Sequence, residues 1–210
     1  MTVPATTAVI LAGGRAHRLG GTDKALVEVA GRPMLAHVVE RLSQQSPGLV
    51  INANGDPARL AAFGLPVVAD DLPGFLGPLA GLLAGLNWTR HARPDAAWMV
   101  SAAVDMPFLP PDFVGRLHEA RARAGADLAV AASGGRRHHV AALWPVGLAD
   151  SLQRALTADG LRAVAAFTDR YAVAVAEWPT EPFDPFFNVN TPLDQAMADD
   201  LAASIGITTP

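Results

Sequence analysis

The sequence predicts an α/β fold in three layers, with helices on both faces of a mostly parallel, Rossmann-like sheet. Two observations carry this. Short apolar runs alternate with longer amphipathic ones through the first 125 residues. The residues that follow those runs, Gly13-Gly14, Asn54, Asp70-Asp71 and Asp105, are all glycine or polar. Parallel strands joined by right-handed crossovers bring such residues to one sheet edge, outside the strands' carboxyl ends, where α/β proteins bind ligands.

Each element has its own signal. Thr7–Ala12 is nearly all apolar and ends at a glycine pair, so it reads as a buried strand. Pro33–Leu42 reads as a helix, with proline in its first turn and Met34, Leu35, Val38 and Leu42 on one side. Leu49–Ala53 is a second strand, Asp56–Phe63 a short helix stopped by Gly64, and Leu65–Ala69 a third strand. Pro78–Trp88 carries Leu79, Leu82, Leu83 and Leu86 at helical spacing. Ala97–Val104 is a fourth strand, and Pro111–Ala124 a helix. Asp127–Ala132 and His139–Trp144 read as strands joined through Ser133-Gly134-Gly135, with Arg136, Arg137 and His138 in the connection. Gly147–Ala158 and Leu161–Phe167 read as helical, Tyr171–Ala176 as a strand and Pro192–Ala203 as a closing helix.

Composition narrows the function. Of 210 residues, 50% are hydrophobic and 17% charged, as in ordinary globular proteins, and one domain over 1–210 is expected. The absence of cysteine excludes disulfides, zinc–thiolate sites, iron–sulfur clusters and a thiol nucleophile. A net charge of −4 argues against a broad nucleic-acid surface. No apolar run approaches the ~20 residues of a membrane span, and Met1–Thr7 lacks a signal-peptide pattern, so the cytoplasm is the expected location. No serine nucleophile elbow occurs. The 16 basic residues are 15 arginines and one lysine, Lys24. A lysine kept where arginine is otherwise used suggests a need for a compact point charge.

That lysine closes the segment Leu11-Ala12-Gly13-Gly14-Arg15-Ala16-His17-Arg18-Leu19-Gly20-Gly21-Thr22-Asp23-Lys24. Its glycines allow backbone N–H groups to approach an anion, while Arg15, Arg18 and Lys24 add positive charge, a combination suited to a triphosphate. The segment is neither a Walker A loop nor a dinucleotide fingerprint. The string LAGGRAHRLGGTDKAL resembles the loop of nucleotidyltransferases, and molybdenum cofactor guanylyltransferases in particular.

The resemblance implies a nucleotidyltransferase fold and further site residues. It assigns Leu11, Ala12, Gly13, Lys24 and Asp105 to the nucleotide, with Lys24, Asp105 and Arg18 acting in catalysis. Asn52 resembles the family asparagine that contacts the nucleotide; Asp70 aligns with its guanine-side aspartate, although Asp71 remains an alternative. Gly77-Pro78-Leu79-Ala80-Gly81 matches GPLAG, and Asp105, in Asp105-Met106-Pro107-Phe108, falls where the family binds its metal, Mg2+. Asn188-Val189-Asn190-Thr191-Pro192 matches a motif near the family's C-terminus. Asn188 and Asn190, with Arg136, Arg137 and His138, are candidates for binding the acceptor.

The implied reaction transfers GMP from Mg·GTP to molybdenum-loaded molybdopterin, with loss of pyrophosphate. Molybdopterin-synthesis proteins and molybdoenzyme chaperones are the implied protein partners. A related transferase, using CTP on molybdopterin or an NTP on a sugar phosphate, remains open at this point. So does a catalytically silent nucleotide-binding protein, which pyrophosphate release would exclude.

Overall fold

The structure, a computed structural model, describes residues 3–13, 23–74 and 77–206. The chain begins with β1 (Thr6–Leu11), a short 3-10 turn at Lys24–Leu26, the hairpin strands β2 (Glu28–Val29) and β3 (Arg32–Pro33), and helix α1 (Met34–Ser43). It continues through β4 (Gly48–Asn52), a 3-10 segment at Pro57–Phe63, β5 (Val67–Val68), α2 (Pro78–Ala92) and β6 (Trp98–Ala103). The second half comprises α3 (Phe113–Ala124), β7 (Leu128–Ser133), β8 (Arg136–Pro145), a 3-10 turn at Val146–Leu148, α4 (Ala149–Thr157), α5 (Val164–Thr168), β9 (Val173–Trp178) and α6 (Pro192–Ser204).

The sheet order is β5-β4-β1-β6-β8-β7-β9, and only β8 runs against the other six strands. Alternation along β1 explains the layers. Ala8 and Ile10 pack on one face with Leu35 and Val38 of α1 and Phe113 and Leu117 of α3. Val9 packs on the other face with Leu82 and Leu86 of α2, Leu152 of α4 and Phe167 of α5. A third cluster joins Val29, Met34, Phe108, Val189, Ala198 and Ala202, and so ties α6 to the small hairpin. The carboxyl ends of β1, β4, β5, β6 and β7 therefore share one edge, as the apolar runs predict.

Several local expectations need correction. Asp56–Phe63 was expected to be helical; it is a 3-10 segment, capped by Asp56 and ended by Gly64 in the left-handed region. Leu161–Phe167 is helical only from Val164. The hairpin β2–β3 is not among the predicted elements, because its two-residue turn places Ala30 (φ 50°) and Gly31 (φ 70°) in the left-handed region, a role seldom given to alanine. The connection 136–138 is not a loop. A tight turn at Gly134 (φ 54°) and Gly135 (φ 74°) lets β8 start at Arg136. Arg136 and Arg137 are exposed beside that turn, whereas His138 points into the core.

Four histidines are held below the ordinary imidazole value by burial. His118, bonded to Thr6 Oγ1 at 2.8 Å, is pushed down to about 4. His37, His138 and His139 are lowered for the same reason. Below pH 6.5 the unfolded chain therefore binds more protons than the folded one. The stability these groups give is complete above pH 6.5 and is lost as pH falls toward 4. The guanidinium midpoint is expected to fall from about pH 7 to about pH 5 with an unchanged slope, as read by equilibrium unfolding.

Candidate active site

A cavity of about 400 Å³ opens at the carboxyl edge of β1, β4 and β6. Leu11 and Gly13 line it from the end of β1, Asn52 and Asn54 from β4, Asp70 from beyond β5, and Ala103, Val104 and Asp105 from β6. Lys24, Val140 and Asn188 come from separate parts of the chain, while Gly77 and Pro78 bring the start of α2. Helix N-termini favour anions through their unpaired N–H groups.

The lone lysine lies at the centre of the polar contacts. Asp23 accepts from Ala25 N–H at 3.1 Å and pairs with Arg59, which fixes the 3-10 turn that carries Lys24. Lys24 Nζ donates to Asp105 Oδ2 and to Asn190 Oδ1, both at 2.6 Å. The side chains of Lys24 and Asp105 are 13% and 15% exposed, so water screens the pair only in part.

Asn190 is held by the start of α6. Thr191 Oγ1 accepts from Asp194 N–H at 3.2 Å, and Asp194 Oδ2 accepts from the N–H groups of Asn190 and Thr191, each at 2.9 Å. This is a capping box. The backbone bond from Asn190, followed by the bonds from Thr191, holds the Asp194 carboxyl below the usual carboxylate range. Val189 N–H donates to the Asp105 carbonyl at 3.0 Å and fixes the 188–190 segment against the end of β6.

Among the described residues, two buried oxygens at this point have no partner: Asp105 Oδ1 and Asn188 Oδ1. Both residues line the cavity. Unpaired buried oxygens are costly and call for a ligand. Oxygen donors are what a hard divalent cation takes. Among the described residues, no group of three or more His, Cys, Asp or Glu side chains could hold a metal by itself. A cation here would complete its shell from phosphate oxygens and water.

The opposite wall is an aspartate clamped by two amides. Asn52 Nδ2 donates to Asp70 Oδ1 at 3.0 Å and to the Val68 carbonyl at 3.2 Å. Asn54 Nδ2 donates to Asp70 Oδ2 at 2.8 Å. Flipping the Asn52 amide would turn its oxygen onto two acceptors, so the orientation is fixed chemically. With both amide hydrogens committed, Asn52 can offer a ligand only its Oδ1. Asp70 keeps one lone pair on each oxygen. Asp70 and Asn52 thus offer a ligand acceptors and no donor, while Asn54 Nδ2 gives one of its two hydrogens to Asp70. Of the two adjacent aspartates, Asp70 lines this cavity. Asp71 accepts from Asn87 Nδ2 at 2.6 Å and lines a different cleft.

Gly81 makes the close approach of α2 possible. An added Cβ there would lie 2.2 Å from Asn52 Oδ1 and 2.9 Å from Leu11 Cδ2. Gly81→Ala is therefore expected to cost about 1–3 kcal/mol of stability through overpacking and to weaken nucleotide binding by displacing Asn52. Thermal unfolding and a nucleotide titration check the two effects.

The remaining predicted residues are placed as follows. Ala12 is buried and its N–H is committed to the Asn52 carbonyl at 2.8 Å, so it offers no amide to a phosphate. Arg18 and Arg15 lie outside the described residues. Arg136 and Arg137 stand at the same sheet edge as the cavity but do not line it. His138 is 6% exposed, bonds Ser133 Oγ at 2.7 Å and stacks on Phe186 with ring centroids 4.8 Å apart. Its stack on Phe186 supports the segment leading to Asn188, and its Nε2 is engaged by Ser133. Asn190, expected at the acceptor, accepts a hydrogen bond from Lys24. Asn54 has no predicted role of its own, yet its spacing of two from Asn52 is the strand period that sets both on one face.

The class of the protein follows from its family: the chain is a nucleotidyltransferase. The MobA-like NTP transferase domain family matches residues 8–178. The chain is 61% identical over 199 residues to the molybdenum cofactor guanylyltransferase of Rhodopseudomonas palustris (strain BisB5), covering 95% of each chain. It is 45% identical to that of Rhizobium meliloti (strain 1021), covering 91% of this chain and 89% of that one. Its fold matches the molybdopterin-guanine dinucleotide biosynthesis protein A of Archaeoglobus fulgidus with a TM-score of 0.70 and 25% identity, over 94% of this chain and 99% of that one. The chain belongs to the molybdenum cofactor guanylyltransferase family.

Proposed function

We propose that the chain transfers GMP from Mg·GTP to the terminal phosphate of molybdenum-loaded molybdopterin and releases pyrophosphate. The observation that carries the guanine reading is the accepting wall of Asp70 and Asn52, in the cavity that also holds Lys24 and Asp105. Guanine presents N1–H and N2–H side by side, and a carboxylate accepts both. Cytosine and adenine each place a ring acceptor beside their amino group, which the Asp70 carboxylate would repel.

The reaction needs no general base, since the acceptor phosphate is already anionic. Its oxygen bonds to the α-phosphorus as the α–β bridging bond breaks, and the electron pair leaves with pyrophosphate. The protein's task is to align the two phosphates and offset their charge. Lys24 neutralises the triphosphate, Gly13 permits close approach, and the start of α2 adds dipole charge. Asp105 and Asn188 are the residues that would hold Mg2+, through the two unpaired oxygens. When bound there, the ion offsets phosphate charge. Arg136 and Arg137, at the same edge, supply charge for the acceptor's phosphate.

Pyrophosphate release tests this reading, with molybdopterin-loaded acceptor and GTP, CTP or ATP in turn. GTP is expected to support turnover well above the others. A preference for CTP would replace the guanine reading with that of a cytidylyltransferase, and a sugar phosphate as the better acceptor would move the enzyme to another substrate class.

A further inference from the structure

Asn54 lines the cavity, yet no step of the proposed transfer uses it. Both ends of its amide grip a single residue. Nδ2 donates to Asp70 Oδ2 at 2.8 Å, and Oδ1 accepts from the Asp70 main-chain N–H at 2.9 Å. Asn52 binds the other carboxylate oxygen at 3.0 Å. Asp70 needs this support. It follows β5, a two-residue strand at the sheet edge that pairs only with β4. A carboxylate there is free to turn about two side-chain torsions, and its half-exposed position offers little packing to stop it. With backbone and both oxygens tied, the carboxylate plane is set before a ligand arrives, and the cost of ordering it does not fall on binding.

We propose that Asn54 is a positioning residue that sets base specificity, by orienting Asp70 toward a base edge carrying two adjacent N–H donors. It touches no reacting atom. The proposal rests on the guanine reading above and adds to it the device that makes Asp70 discriminating. Without Asn54, Asp70 retains its charge but meets the base with one oxygen at a time. The second donor of guanine, its 2-amino group, then gains nothing.

The test compares GTP with ITP, which lacks only that amino group. Affinities for Mg·GTP and Mg·ITP are measured by calorimetry on the full chain, for wild type, Asn54→Ala, Asp70→Ala and the double variant. Wild type is expected to prefer GTP by roughly 10-fold, the worth of one hydrogen bond to a charged group. Asn54→Ala is expected to bring the ratio to within about 2-fold, chiefly by weakening GTP, and to add no further loss of ratio in the Asp70→Ala background. KM for GTP should rise while kcat at saturation holds. Asn54→Asp keeps an acceptor for the Asp70 N–H but sets like charge against Oδ2, so it should lose discrimination too; it carries the test if the alanine variant is unfolded. A GTP-to-ITP ratio unchanged in Asn54→Ala or Asn54→Asp, or a wild type that does not distinguish the two nucleotides, overturns the proposal and leaves the guanine reading standing if GTP still outbinds CTP. A wild type that prefers CTP overturns both.

Discussion

Asp105→Ala is expected to lower turnover by roughly 100-fold or more, the scale seen when a preorganised charge-stabilising group is removed from an active site. One side chain does two jobs here. Its Oδ2 anchors the Lys24 ammonium at 2.6 Å, and its Oδ1 is buried without a partner among apolar neighbours at the end of β6. Alanine therefore frees the lysine and removes the oxygen that would hold the ion. Asp105→Asn separates shape from charge. It keeps the volume and one acceptor, but it lacks the negative charge that both a lysine and a divalent cation require. Its rate is expected to stay close to that of the alanine variant even at raised Mg2+, with a melting temperature below wild type, because the ion pair with Lys24 is lost and an unpaired amide N–H takes the place of the unpaired oxygen. Pyrophosphate release across a magnesium titration, together with thermal unfolding, reads both effects. An asparagine variant that turns over near the wild-type rate would remove Asp105 from the metal.

The parts of this site legible in the sequence are those fixed by a local rule. Thr7–Ala12 is a nearly unbroken apolar run that must be buried on both faces, and the glycine pair directly after it is a sequence signal for close approach to a ligand. Asp105 stands out as a carboxylate between Val104 and Met106, both buried. What stayed hidden depends on long-range pairing. That Asn190 would bond Lys24, 166 positions away, follows only once α6 docks on the β2–β3 hairpin. Arg136-Arg137-His138 looked like a basic connection because its charges mask a strand that begins immediately after a two-glycine turn. His138 is buried there by its stack on Phe186, a partner that no spacing rule could supply. Asn54 was legible in principle, since it repeats Asn52 at the strand period, but its target on a two-residue strand was not.

Lys24→Met is expected to cost roughly 100-fold in kcat/KM, and Lys24→Arg to restore little of it. The ammonium sits at 2.6 Å from oxygens of both Asp105 and Asn190, a spacing that suits a compact charge. A planar guanidinium on a longer stem cannot occupy that point without pushing Asn190 off the capping box of α6. The stability loss in Lys24→Met should fall below the ~3–5 kcal/mol of a sealed ion pair, because Asp105 faces a cavity that water can enter. Lys24 and a metal ion also draw on the same carboxylate. In the nucleotide-free protein, Lys24→Met should therefore bind Mn2+ more tightly than wild type while binding GTP more weakly. Spin-resonance titration of Mn2+ and calorimetry with GTP read these opposite changes. A variant in which both affinities fall would mean that the lysine assembles the site around Asp105, and that its charge does not compete with the ion.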